Sequence, residues 1–248
     1  MTRIKYARMS PELEWSKSSY FWDRWGLNHY SQSNHSDPAI FFGIYKCDLR
    51  RLIKHDRSVP SIIIWAGTDI LMSNHLKKVL EIPLTNHVAI GNFIASDLKK
   101  AGIKYKLLPI DFRSNNDIKK AYPLGDEIYT YIPSTRKEFY NLKLIKWLRK
   151  RTKYKINVTA SNNQFNRKKM LKLYKRCFLN LRLTPHDGLP NTVMEMALMG
   201  RKSVYNGGLP GSICWDSNHP EEILETIEKE ASKIIKQMQP KDKNGFSN

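Results

Sequence analysis

A rhythm constrains this chain more than any single residue does: short, continuous apolar runs recur along it, and stretches of helical periodicity fill the intervals. The runs are IFFGIY (40–45), SIIIWAG (61–67), HVAIGN (87–92), YKLLPID (105–111), EIYTYIP (127–133), KINVTA (155–160), FLNLRLT (178–184) and KSVYNG (202–207). Runs of this length and composition predict strands buried on both faces. LRRLIKH, SNHLKKVLE, ASDLKKAG, FYNLKLIKWLRKR, RKKMLKLYKRC and PNTVMEMALMG carry the 3.6-residue period between them, with Gly102 and Gly200 as helix stops. Buried strands alternating with amphipathic helices predict an α/β protein whose parallel sheets are covered on both faces.

The rhythm breaks once. RSNNDIKKAYPLGDE (113–127) is polar, contains Pro123 and Gly125, and separates four predicted strands from four, so it reads as an interdomain linker. The division that follows has an aromatic-rich segment at 1–38, belonging to the N-terminal domain, a first Rossmann-like half at 39–125, a second at 126–239 and a disordered tail at 240–248. The first segment holds Trp15, Tyr20, Phe21, Trp22, Trp25 and Tyr30 but no clear strand, and PEEILETIEKEASKIIKQM (220–238) is an amphipathic helix. The two halves are expected to face each other across a cleft.

Composition agrees with two modest cores: the chain has 248 residues, of which 41% are hydrophobic. Cys47, Cys177 and Cys214 are odd in number and lack CxxC spacing, which argues against a disulfide framework or a zinc site and predicts reduced thiols in the core. No apolar run approaches the length of a membrane span and MTRIKYARMSPELEW lacks a secretory apolar block, so a cytoplasmic chain is expected, in a host's cytoplasm if it is viral, with peripheral membrane contact left open. The formal net charge is +19, and residues 136–176 hold fifteen Lys or Arg against one acid, Glu138. Two readings fit this stretch: helices with solvated lysine faces, or a surface for a polyanion, either DNA or an anionic membrane.

The most informative segment is PHDGLPNTVMEMALMG (185–200), which follows the run FLNLRLT. Ligands of parallel α/β sheets bind beyond the carboxyl ends of strands, where each strand turns into its helix. Asp187 lies in such a turn and can reach a polyol; Gly188 lets backbone approach a ligand closely; Pro190 suits the first helical position. Free N–H groups at Asn191 and Thr192, with the helix dipole behind them, favour a phosphate. Glu195, one turn on, can accept from a ribose diol. Each residue has a plainer reading beside this one: Asp187 as a turn residue, Glu195 on a solvated helix face, His186 as a loop residue, and Asp69 as the cap of the helix after GTD. There is no His spacing suited to a metal, no Walker loop, no GxGxxG after a first strand and no G-x-S-x-G elbow, which sets aside kinases, dehydrogenases and common hydrolases.

Asp187-Gly188-Leu189-Pro190 followed by Glu195-Met196-Ala197-Leu198-Met199-Gly200 resembles the E-x7-E segment of GT-B fold glycosyltransferases, particularly the retaining group called family 4. IIIWAGTDI (62–70) resembles that family's acceptor-domain strand ending in Trp-x-Gly-Thr-Asp. The two motifs fall one per half and cover roughly residues 40–230. Two departures stand out: the first acid is Asp where the family has Glu, and the initial strand and glycine-rich loop of a usual acceptor domain are not visible before Pro38, so the N-terminal half reads as shortened.

What the resemblance implies is transfer of a sugar from a UDP- or GDP-linked donor to an acceptor hydroxyl, with retention and with neither metal nor cofactor. Asp187, with Asp69, would serve the reacting centre. Glu195 would take the ribose, and His186, Gly188, Leu189, Pro190, Asn191 and Thr192 would line the donor. Arg136, with Lys137 or Lys143, would neutralise the diphosphate, while Gly67 and Thr68 would face the acceptor. The acceptor stays open between a glycan, lipid-linked intermediate or small molecule and a modified DNA base. A non-catalytic nucleic-acid or membrane binding protein that kept the fold is the third reading.

Overall fold

The computed structural model describes residues 3–11, 13, 25–71, 73–108, 118, 121–160 and 166–238. Trp15, Tyr20, Phe21 and Trp22, linker residues 113–117, 119 and 120, and the tail 240–248 lie outside the described residues. The chain forms two compact units, the first made of Met1–Asp117 with His186–Asn191, the second of Ile118–Pro185 with Thr192–Asn248.

Six described strands build the sheet of the first unit: β1 (Tyr6–Met9), β2 (Asn28–His29), β3 (Ala39–Phe42), β4 (Ser61–Trp65), β5 (Thr85–Ala89) and β6 (Tyr105–Leu107). They are parallel throughout, in the order β2-β1-β3-β4-β5-β6. Every residue of β3 is buried, as the unbroken apolar run requires. The connecting helices α1 (Lys46–Ile53), α2 (Ser73–Leu80) and α3 (Asn92–Lys100) each carry the chain one strand further in the same direction, and right-handed crossovers therefore place them on one face. Leu49 and Leu52 of α1, Val79 of α2, and Ile94 and Leu98 of α3 are buried beneath them.

The second unit repeats the architecture with β7 (Glu127–Tyr131), β8 (Ile156–Thr159), β9 (Cys177–Leu181), β10 (Lys202–Val204) and β11 (Ser212–Ile213), all parallel and ordered β11-β10-β9-β7-β8. Its helices are α4 (Leu142–Arg149), α5 (Arg167–Lys175), α6 (Asn191–Leu198) and α7 (Glu221–Met238). Alternation along β7 divides the interior in two. Ile128 enters a core with Ile145 and Leu148 of α4 and Ile223 and Ile227 of α7, whereas Tyr129 enters another with Tyr174 of α5 and Met196 of α6.

Each of the eight predicted runs overlaps a strand, β3, β5 and β9 beginning one or two residues before theirs, and each predicted helix is present. The segment before Pro38, where no strand was expected, supplies β1 and β2, and β1 is an interior strand beside β3. YARM has too few residues and too polar a flank to display a period. β11 was missed for the same reason, having two residues. The thiols also need a correction: all three are free, but only Cys177 is buried, and Cys214 is exposed.

Candidate functional site

The segment with the strongest sequence signal begins in β9, whose five residues are all buried. The strand does not stop at Leu181: Arg182 N–H still donates to the Val204 carbonyl at 2.9 Å, and Leu183 and Thr184 remain buried before the turn at Pro185. Helix α6 opens at Asn191, directly after Pro190. Turn residues His186–Asn191 belong to the first unit. There His186 Nε2 lies 2.8 Å from Asp97 Oδ2 of α3 and the ring stands 5.5 Å from that of Phe93. Asp187 is half-buried, and Leu189 and Pro190 are buried. Gly188 was expected to let backbone approach a ligand, but the close approach it permits is to protein: a Cβ there would stand 2.3 Å from the Ala66 carbonyl oxygen. Gly91 is constrained reciprocally, since its Cβ would stand 2.5 Å from the Gly188 oxygen.

Three buried polar atoms in this short stretch have no hydrogen-bond partner: Thr184 Oγ1, His186 Nδ1 and Thr192 Oγ1. Orphaned polar atoms are rare inside proteins, and Thr184 Oγ1 and Thr192 Oγ1 belong to the second unit, where each is an atom that a further polar group would complete, whereas His186 Nδ1 belongs to the first.

Glu195 lies inside the second unit. It is 2% exposed and its carboxylate pairs with the Arg167 guanidinium at the start of α5. It also hydrogen-bonds Tyr174, whose hydroxyl pKa is driven well above its ordinary value first by burial and then by this carboxylate. Tyr174 in turn touches Tyr129, and Tyr129 bonds Thr159 at 2.8 Å, so a polar chain runs from α6 and α5 into β7 and β8. The solvated-face reading of Glu195 is excluded by this burial. Arg167 was not singled out in the sequence because it begins a run of lysines and looks like one more solvent cation.

Of the predicted diphosphate cations, Arg136 sits in the connection between β7 and α4 and Lys143 in α4 itself. Arg136 is exposed and stacks over Phe139 at 4.1 Å; Lys143 is exposed in the first turn of α4. A cation that sequence reasoning missed is more firmly held. Arg182 is 7% exposed, donates to Tyr140 Oη at 3.2 Å, and lies 4.6 Å from the Tyr140 ring and 5.7 Å from the Tyr131 ring. It stands at the carboxyl end of β9, next to the carboxyl end of β7. The nearby Asn141, in the left-handed region at φ 51°, donates its amide to the Leu183 carbonyl at 2.7 Å and so ties the two strand ends together. A polar residue at every second position of FLNLRLT, Asn180 and then Arg182, was the signal available.

In the first unit Asp69 is fully enclosed. Oδ1 accepts from Gly67 N–H at 2.9 Å, and Oδ2 accepts from Ile44 N–H at 3.1 Å and Ala66 N–H at 3.4 Å. Burial raises its pKa and these bonds work against the rise. A carboxylate so engaged organises the turns after β3 and β4. Thr68 opens the short 3-10 turn Thr68–Leu71, and Gly67 precedes it with its N–H given to Asp69. The basic stretch 136–176 is divided as well, because α4 and α5 contribute to the two different cores on opposite faces of the sheet. Among the described residues no group of three His, Cys, Asp or Glu is placed to hold a metal ion, and no helix is long and apolar enough to cross a membrane.

No protein-family model matches this chain, and no curated protein matches it. Among solved structures it is similar to the crystal structure of TarM, at 8% identity and a TM-score of 0.50, with 89% of this chain and 54% of that one covered. It is also similar to the pneumococcal O-GlcNAc transferase GtfA in complex with UDP and GlcNAc (10% identity, TM-score 0.48, 88% and 52% covered). A third is accessory secretory protein 1,2 and 3 in Streptococcus pneumoniae (11% identity, TM-score 0.39, 89% and 52% covered). The chain therefore spans about half the length of each. At such identity the likeness to TarM speaks to the fold alone, an α/β protein of the GT-B class with two parallel sheets carrying helices.

Proposed function

We propose that this protein transfers a sugar from a nucleoside-diphosphate sugar, UDP- or GDP-linked, to an acceptor hydroxyl, and that residues 184–195 hold the donor. The observation that carries this reading is the pair of orphaned hydroxyls of the second unit, Thr184 Oγ1 where a buried parallel strand ends and Thr192 Oγ1 in the first turn of the helix that follows. Two hydroxyls suit the hydroxyl and phosphate oxygens of such a donor. The first N–H groups of α6 add a positive helix end for the diphosphate. Arg182, fixed by Tyr140 at the end of β9, adds a full positive charge that needs no reorganisation.

On this reading the chemistry is electrostatic. As the bond from anomeric carbon to phosphate oxygen loosens, negative charge gathers on the leaving diphosphate, and the α6 terminus, Arg182 and Arg136 stabilise it. The acceptor hydroxyl attacks from the same face and gives its proton to the departing phosphate oxygen, so configuration is retained and no covalent enzyme intermediate forms. Asp187 orients the sugar, and the Glu195 carboxylate, held by Arg167, takes the ribose hydroxyls. The donor is found by a thermal-shift panel of UDP-, GDP-, ADP-, CMP- and dTDP-sugars. At a hundredfold excess over Kd a true donor stabilises by about 2.7 kcal/mol. No shift with any of them removes the donor-site reading.

A further inference from the structure

The first unit exposes large apolar side chains in a place where the fold has no use for them. Ile53 is 39% exposed, Leu80 52% and Leu84 56%. Ile53 ends α1, Leu80 ends α2, and Leu84 immediately precedes β5. Helices of parallel crossovers run opposite to their strands, so both helix ends lie at the amino end of the sheet, where β4 and β5 pair from Ser61 opposite Thr85. The three side chains thus share one end of one unit.

Leu84 is the more telling because its backbone is in the left-handed region at φ 53°. A leucine there costs about 1–2 kcal/mol relative to ordinary backbone, glycine would occupy the position without that strain, and the exposed side chain returns little packing. Backbone strain and apolar exposure coincide at a residue whose side chain the isolated fold does not need. Charge around the three is one-sided. Arg50 and Arg51 occupy the last turn of α1, Lys54 and Arg57 follow it, and Lys77 and Lys78 occupy the last turn of α2. Against these six cations stand Asp56, whose carboxylate accepts from Ser58, and Glu81.

We propose that this end of the first unit docks on the surface of an anionic lipid bilayer, Leu80, Leu84 and Ile53 entering the headgroup boundary and the six cations meeting lipid phosphates. Apolar residues ringed by Lys and Arg match an interface that is anionic outside and hydrocarbon beneath. A second copy of the chain would bring the same cations against these, and a nucleic acid would leave the leucines in water. The basic stretch 136–176 is not the docking surface proposed here, because none of its described residues is a large exposed apolar one. Docking is independent of the transferase reading, since it concerns a different set of residues.

The test is co-sedimentation of the full chain with vesicles of phosphatidylcholine alone and of phosphatidylcholine with phosphatidylglycerol. The chain is expected to pellet with the second and not the first, and less at high salt. Leu84→Gly is the decisive variant, because it deletes the side chain while relieving the backbone: its Tm stays level or rises while its partition coefficient falls about tenfold, as for loss of one buried leucine. Leu80→Ser gives a comparable fall, and Lys77→Glu with Lys78→Glu a larger one. Failure of the wild type to pellet with phosphatidylglycerol vesicles overturns the proposal. So does binding that Leu84→Gly and Leu80→Ser leave unchanged, since the attraction would then be charge alone.

Discussion

Arg201 shows how much of this fold rests on one side chain that no motif announces. It is 1% exposed, and its guanidinium donates to the carbonyls of Cys177 at 3.1 Å, Tyr122 at 2.8 Å, Pro123 at 2.6 Å and Lys175 at 3.3 Å, as well as to Met199. One residue thereby closes the C-terminus of α6, the entry to β9 and the segment leading into β7. Arg201→Met leaves those carbonyls buried and unsatisfied, and the expected loss is about 3–5 kcal/mol in a urea titration. Arg201→Lys recovers only part, because three donors on a flexible stem cannot reproduce a planar fork. Asp187 has a different expectation: Asp187→Ala costs turnover more than nucleotide affinity, and an equal loss of both would make its role structural. At this scale the sequence was only partly legible. Asp187 and Glu195 stood out by their spacing in a turn and helix. Arg167, Arg182 and Arg201 did not, because a cation in a chain with 42 Lys and Arg reads as solvent-facing, and only burial of Arg182 and Arg201 and the pairing of Arg167 with Glu195 separate these from the rest.

Strand β5 carries a pH response that belongs to the way it pairs with β4. Trp65 Nε1 donates to His87 Nδ1 at 3.2 Å, with the rings stacked 6.2 Å apart, and burial lowers the His87 pKa from 6.5 to about 4. The folded state therefore holds this imidazole neutral at a pH where the unfolded chain protonates it. Stability from this source is complete above about pH 6.5, declines as pH falls, and is fully lost below about 4. His55, enclosed by Tyr30 and Phe41 with its pKa also lowered by burial, pulls the same way. The urea midpoint should fall between pH 7 and pH 5, and His87→Gln, which still accepts from Trp65, should reduce that fall; an unchanged fall would assign the response elsewhere. Elements were legible where apolar runs were long, as in β3, β4, β7 and β9. β1, β2 and β11 escaped because two to four residues cannot establish a period.

For the whole molecule, two successive parallel α/β units follow from two sets of apolar runs, and the likeness to TarM carries the class of fold. The proposed function rests on the end of β9 and the start of α6 in the second unit, where the hydroxyls of Thr184 and Thr192 are orphaned and the Glu195 carboxylate is buried. The measurement that tests this most directly is calorimetric titration of UDP and GDP into the wild type and into Glu195→Gln, which keeps the side chain's size and removes its charge. One of the two nucleotides should bind the wild type, and Glu195→Gln should weaken it about tenfold or more, the worth of a charged hydrogen bond to ribose. No binding of either nucleotide, or equal affinity in both proteins, would contradict the assignment of this passage as the donor site.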